Sequence, residues 1–134
     1  MHSDKISICP CCSTLAYAHC CGPYHAKTTF APTPEKLMRS RYSAYVLLLE
    51  SYLLDTWHIS TRPLTLHLAE EARIHPTKWL NLMILKTQQN SPEKGMVEFI
   101  AKYKITGKAY KLHEISEFTL ENNQWFYLVG TPHY

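Results

Sequence analysis

Four of the chain's five cysteines, Cys9, Cys11, Cys20 and Cys21, fall within thirteen positions as C-x-C, eight residues, C-C. A divalent ion in a tetrahedral shell needs four soft or borderline donors. Thiolates on two short arms joined by a small loop supply them without a large apolar core. The spacing therefore reads as a zinc site in which the metal does the work of a core. Cys12 makes a second pair with Cys9 at C-x-x-C spacing, and His25 lies four residues past Cys21. The ligand register is open between the four aligned cysteines and a set in which Cys12 or His25 replaces one of them. Disulfides need an oxidising compartment, whereas Met1–Ser7 holds no apolar run of secretory length, and an odd cysteine count suits four ligands with one left over. The expected location is the cytoplasm.

The segment Cys9-Pro-Cys-Cys-Ser-Thr-Leu-Ala-Tyr-Ala-His-Cys-Cys-Gly22 resembles the SEC-C zinc motif, whose usual form is CPCGSGKKYKKCCG, with Tyr17 in register. The resemblance implies Cys9, Cys11, Cys20 and Cys21 as the ligands of a structural Zn2+, since four thiolates leave no open coordination position for catalysis. Cys12 stands where the motif has glycine. In the translocase SecA the similar motif implies contact with the chaperone SecB, so a protein partner through the zinc motif is one expectation here. The motif's lysines are replaced by Leu15, Ala16, Ala18 and His19, which weakens attraction to an acidic partner.

The chain of 134 residues suffices for one compact domain plus a small appended module, and 46% hydrophobic content is ordinary for a folded protein. The longest apolar stretch, Tyr45 to Leu54, is broken by Glu50 and falls short of the roughly 20 residues that cross a bilayer. No membrane segment is expected. Fourteen basic and eleven acidic residues give a formal net charge of +3, and no dense Lys/Arg block appears, so nucleic-acid binding is not expected either. The four glycines are far apart and form no phosphate-binding loop, dinucleotide pattern or nucleophile elbow. Nucleotide cofactors are excluded with them, and a non-enzymatic protein is the reading that follows.

Residues 1–30 lack helical or strand periodicity. From Thr33 the texture changes: Thr33 can cap a helix, Pro34 fits the first turn, and Glu35 suits the positive end of the dipole. Met38, Tyr42, Tyr45, Leu49 and Tyr52 form one apolar stripe, with a break near Glu50-Ser51 giving two helices. A third helical segment is predicted from Pro63 to Arg73, capped by Thr61 and ended by His75-Pro76. Strands are predicted at Trp79 to Gln88, Met96 to Ile105, Ala109 to Leu120 and Gln124 to Val129, joined by short turns. Helices followed by a four-stranded antiparallel meander describe an α+β fold whose sheet curls over the helices and leaves a hollow.

The residues Pro34-Glu-Lys-Leu-Met-Arg-Ser-Arg-Tyr-Ser-Ala-Tyr45, Tyr52-Leu-Leu-Asp-Thr-Trp-His58, Trp79-Leu, Val97-Glu-Phe, Tyr103, Leu112-His-Glu114 and Trp125-Phe-Tyr127 carry a second resemblance. They look like the YchJ-type family of uncharacterised bacterial proteins. The resemblance implies a SEC-C-like zinc motif at 1–30 and a nuclear transport factor 2-like domain at 31–134. Some relatives carry a second such motif at the C-terminus, and none follows Gly130 here. Glu117 stands where the family tends to have arginine, so a pocket relying on that charge is altered.

Arg39, Arg41, Trp57, His58 and Glu114 are the pocket candidates, because they concentrate polar function where helices meet sheet. Leu112, Glu114, Ser116 and Phe118 share one strand face, while His113 and Glu117 share the other, so His113 and Glu114 make no side-by-side dyad. A buried carboxylate calls for a partner, and Arg39 or Arg41 is the expected one. Glu114 then reads either as a pinned salt bridge or as a general base. Two functions follow: a zinc knuckle serving protein–protein interaction, or a small-molecule binder or enzyme using the hollow. Zinc buffering is a third.

Overall fold

Helices come first and strands second. The structure is a computed structural model describing residues 7–133; Met1–Ile6, with the start of the expected metal-binding segment, and Tyr134 lie outside the described residues. A 3-10 turn at Tyr17–His19 leads to α1 (Gly22–His25), α2 (Pro34–Leu47), α3 (Glu50–Asp55) and α4 (Leu68–Ile74). Strands β1 (Thr77–Ser91), β2 (Lys94–Ile105), β3 (Lys108–Glu121) and β4 (Gln124–Pro132) form one antiparallel sheet in sequence order. This is the α+β meander the sequence predicts.

Helix α2 starts as its residues dictate. The Thr33 hydroxyl accepts from the Lys36 amide at 3.1 Å, satisfying one orphan donor of the first turn, and Pro34 occupies the position where a missing N–H costs nothing. The break after it falls at Leu48, two residues before the predicted place. Leu48 takes a left-handed conformation (φ 60°), and the Leu49 amide closes back on the Ala44 carbonyl at 2.8 Å. The corner turns α3 back so that Tyr52 and Leu53 bury against Ala44, a contact that one straight helix would forgo.

Helix α4 starts at Leu68 rather than Pro63. The Glu50 carboxylate accepts from the Thr65 hydroxyl and from the amides of Leu66 and Leu68, which fixes this approach as a loop. The helix ends at Ile74, with His75 as its cap before Pro76, at the stop predicted from His75-Pro76.

The last two hairpins use two-residue turns whose residues all have positive φ, Thr106-Gly107 and Asn122-Asn123, the geometry of type I′ turns that match strand twist. Along β2, Val97, Phe99 and Ala101 are buried while their neighbours are not. They meet Leu37, Met38 and Tyr42 of α2, Leu82 of β1, and Phe118 and Trp125 of the later strands. Cys9, Cys11 and Cys21 belong to this same core. After α3 the chain docks on β4: the His58 amide donates to the Tyr127 carbonyl and the Tyr127 amide to the Thr56 carbonyl, both at 2.8 Å. That short pairing places Trp57 at the edge of the space between α2 and the sheet.

Candidate metal centre and the adjoining cavity

The first cysteine arm is a small hairpin. The Cys9 amide donates to the Leu15 carbonyl at 2.8 Å and the Tyr17 amide to the Ser7 carbonyl at 2.7 Å, with Cys12 and Thr14 in the left-handed region at the bend. The 3-10 turn and α1 then bring up Cys20 and Cys21. A Cβ at Gly22 would stand 2.7 Å from the Tyr17 carbonyl oxygen, so only glycine lets the second arm close against the first.

The Sγ atoms of Cys9, Cys11, Cys20 and Cys21 all lie within 4.8 Å of one another. Cys11 and Cys20 are 3.6 Å apart, and Cys20 and Cys21 are 3.9 Å apart. A tetrahedron with metal–sulfur bonds of about 2.3 Å has edges of about 3.8 Å, so the donor set and its spacing fit one tetrahedral ion. Two serine hydroxyls favour negative charge on sulfur, against burial, which pushes Cys20 up: the Ser43 hydroxyl is 3.5 Å from both Cys9 and Cys21, and the Ser13 hydroxyl is 3.1 Å from Cys20. Crowding among the thiols acts unequally. A hydrogen bond from Cys21 pulls Cys11 well below the ordinary thiol range, while that bond and burial push Cys21 up.

The two substitute ligands stand outside the cluster. Cys12 is exposed, and its sulfur accepts the Leu82 amide at 3.4 Å. His25 has both ring nitrogens engaged, Nε2 with the Ser40 carbonyl at 2.8 Å and Nδ1 with the Tyr17 hydroxyl at 2.6 Å. Since a carbonyl only accepts, Nε2 carries the proton and Nδ1 accepts from tyrosine. Burial holds this imidazole below its usual pKa, in keeping with that neutral form. Tyr17, noted in the sequence only as being in register, thereby has a job: it locks His25 and with it α1 onto α2.

The pocket candidates separate. Arg39 and Arg41 are two positions apart on α2, about 200° around the axis, so they face opposite ways. Arg39 points to the metal segment, where Nη1 donates to the Cys11 carbonyl at 2.9 Å and Nε to Glu35 at 3.1 Å. Arg41 points inward and lines a cavity of about 290 Å³ between α2 and the sheet, together with Trp57 and Glu114. His58, next to Trp57 in extended chain, turns away to pair with Ser60 and Glu121. The predicted bridge from Glu114 to an arginine does not form: no ion pair involving Glu114 occurs among the described residues. Glu114 accepts instead from the Ser116 hydroxyl at 3.1 Å. His113 lies on the opposite face, 2.7 Å from Glu98, as strand alternation requires.

Arg41 is only 4% exposed. Its Nη1 donates to the Leu53 carbonyl and the Thr56 hydroxyl, both at 2.7 Å, and its guanidinium carbon sits 5.0 Å from the Trp57 ring centroid and 4.5 Å from that of Tyr127. Burial raises the Glu114 carboxyl above its ordinary value, opposed by the Ser116 hydrogen bond. Tyr127 is pushed up to about 12 by burial and by the nearby Glu114, with Arg41 pulling the other way. The Trp57 indole nitrogen is buried without an acceptor among the described residues. A Cβ at Gly130 would collide with the Glu114 carboxylate and come within 2.8 Å of the Tyr127 hydroxyl, which explains a glycine in mid-strand. Neither Ser43 beneath the sulfurs nor Tyr127 over the guanidinium was singled out for its role from the sequence; both are set by long-range packing.

A helix-backed antiparallel sheet with a thiol cluster at its amino end defines a nuclear transport factor 2-like domain carrying a potential metal centre. Residues 33–130 match the family model described as YchJ, middle NTF2-like domain. A UPF0225 protein of Bordetella bronchiseptica is 44% identical over 131 residues, covering 96% of each chain, and one of Chromobacterium violaceum is 47% identical over 125 residues, covering 91% of this chain and 90% of the relative. The chain belongs to this YchJ-type UPF0225 family. Two solved structures are similar as well. The solution structure of a SEC-C motif containing protein from Rhodopseudomonas palustris has a TM-score of 0.84 and 33% identity, covering 96% of this chain and all of the other. The crystal structure of a SEC-C motif containing protein from Psychrobacter arcticus has a TM-score of 0.81 and 29% identity, covering 96% of this chain and 84% of that one. No helix among the described residues is long and apolar enough to cross a membrane.

Proposed function

We propose that Cys9, Cys11, Cys20 and Cys21 hold one structural Zn2+ and that the protein is a non-enzymatic, zinc-braced module whose amino-terminal knuckle serves protein–protein interaction. The observation that carries the reading is the all-sulfur set of four donors within 4.8 Å. Four thiolates in a tetrahedron suit zinc, and a closed set leaves no position at which water or substrate could be activated. On the knuckle, Ile8 is 61% exposed and Leu15 51%, which supports an apolar contact rather than the lysine-driven one implied by other SEC-C motifs. Elemental analysis of protein purified under reducing conditions should give one zinc per chain. Fully reduced, metal-free protein with an unchanged fold at residues 7–26 would remove the metal from the account. Partner capture with and without a chelator tests the interaction, and identical partner sets would separate it from the knuckle.

A second reading, a small-molecule site in the cavity, is favoured by one specific observation. Arg41 is a buried cation on the cavity wall with no carboxylate in ion-pair range among the described residues.

A further inference from the structure

We propose that the cavity between α2 and the sheet takes a small, largely apolar monocarboxylic acid, its carboxylate held by the free edge of the Arg41 guanidinium. The inference rests on the second reading above and names the ligand's chemistry.

A charge taken out of water is costly unless it is paired and hydrogen-bonded. Arg41 is only partly satisfied. Of its three nitrogens, Nη1 alone has acceptors among the described residues, namely the Leu53 carbonyl and the Thr56 hydroxyl. Those two bonds explain why an arginine ties α2 to the end of α3. They do not use Nε and Nη2, the edge that binds a carboxylate through two parallel N–H donors. The Trp57 and Tyr127 rings, which meet each other at 85°, both touch the guanidinium and hold it in place, so that edge is preorganised.

The unused Arg41 edge presents donors alone, and an acceptor-only anion is what meets it. The hydroxyl-bearing Tyr42, Tyr45 and Tyr127 line the same cavity. The remaining wall is apolar and aromatic, with Met38, Tyr42, Trp79, Phe99 and Leu112. It suits a hydrocarbon or aryl body. At about 30 Å³ per water-sized group, 290 Å³ holds on the order of ten non-hydrogen atoms, the size of a benzoate- or octanoate-like acid.

A single negative charge fits better than the two of a phosphate, because the cavity offers one cation. Glu114 also lines it and opposes further negative charge. Burial favours the neutral form of that carboxyl, in which it can donate to a ligand instead of repelling it.

The test uses full-chain protein with its metal in place. Benzoate, cinnamate and octanoate are compared with benzamide, cinnamamide and octanamide of the same shape, with benzylamine, and with inorganic phosphate, by thermal shift and calorimetry. At tenfold excess over Kd an acid should raise Tm by roughly 4 °C, and its amide should not. Arg41→Met should abolish the preference for acid over amide, provided its melting remains cooperative. The acid–amide comparison in the unaltered protein needs no variant. Equal binding of acid and amide, or tighter binding of the amine or phosphate, overturns the assignment of the acid while leaving a binding cavity. Absence of binding by every probe at tens of millimolar overturns the cavity reading itself.

Discussion

Stripping the metal is expected to release residues 7–26 while the sheet stays folded. The polar ties that survive metal loss are the Arg39 bond to the Cys11 carbonyl, the His25 bond to the Ser40 carbonyl, the Leu82 amide bond to Cys12 and two long contacts of the Ser43 hydroxyl with the Cys9 and Cys21 sulfurs. At about 1 kcal/mol each the first three sum to about 3 kcal/mol, the weak contacts to sulfur add little, and the packing of Tyr17 and Tyr24 is offset by the backbone entropy that the freed segment regains. A structural zinc contributes about 10–16 kcal/mol in small modules, enough to make opening of the loaded segment as costly as global unfolding, about 5–15 kcal/mol. The difference is at least about 2 kcal/mol, or roughly thirtyfold in amide exchange. Hydrogen exchange by mass spectrometry on reduced protein, with and without chelator, reads this directly. The Cys9, Tyr17 and His25 amides, which bond within the segment, should exchange at least that much faster, and β2 and β3 should not change. Unaltered protection of residues 7–26 after complete metal loss would refute the reasoning, because the remaining ties are too few to provide it.

Three further outcomes are expected. Glu114→Gln should stabilise the protein at pH 7. A carboxyl raised above its unfolded value of 4.5 contributes stability that is complete below that value and is lost as pH rises through the folded one, so the variant's advantage in denaturant midpoint should vanish near pH 4. A loss of stability at neutral pH would instead revive an ion pair. Gly130→Ala should cost about 1–3 kcal/mol through collision with the Glu114 carboxylate, and a double-mutant cycle with Glu114→Ala should recover most of it; strict additivity would disprove the contact. Glu50→Gln should speed exchange at the Leu68 amide. Three hydrogen bonds hold the Glu50 carboxyl below its usual pKa, so its contribution is present above 4.5 and lost as pH falls through the folded value; equal exchange in variant and parent at pH 7 would count against the cap.

Much of the architecture could be read from local chemistry. Thr33-Pro34 announces a helix start, the alternation of Val97, Phe99 and Ala101 announces a half-buried strand, and clustered thiols announce a metal shell. The readings that shifted depend on partners distant in sequence. Glu50 sets where α4 begins from eighteen residues away, and the corner at Leu48 exists because Tyr52 and Leu53 gain burial by folding back, which the Leu48-Leu49 pair does not advertise. The Glu114 bridge was expected because a buried carboxylate invites a cation. The helical period already rules out both arginines facing one hollow, and the backbone carbonyl at the end of α3 and the hydroxyl just beyond it took the one that faces inward. Trp57 and Glu114 could be named from the sequence, but the unmatched indole N–H could not, since it depends on what fails to approach it.

Helix α2 turns Ser43, completely inaccessible to solvent, toward Cys9 and Cys21. Trimming the chain to the matched domain at Thr33 would strip the roof from this hydroxyl and from the apolar patch it sits in. The amino-terminal loop is thus a shingle on the domain and not a removable tag.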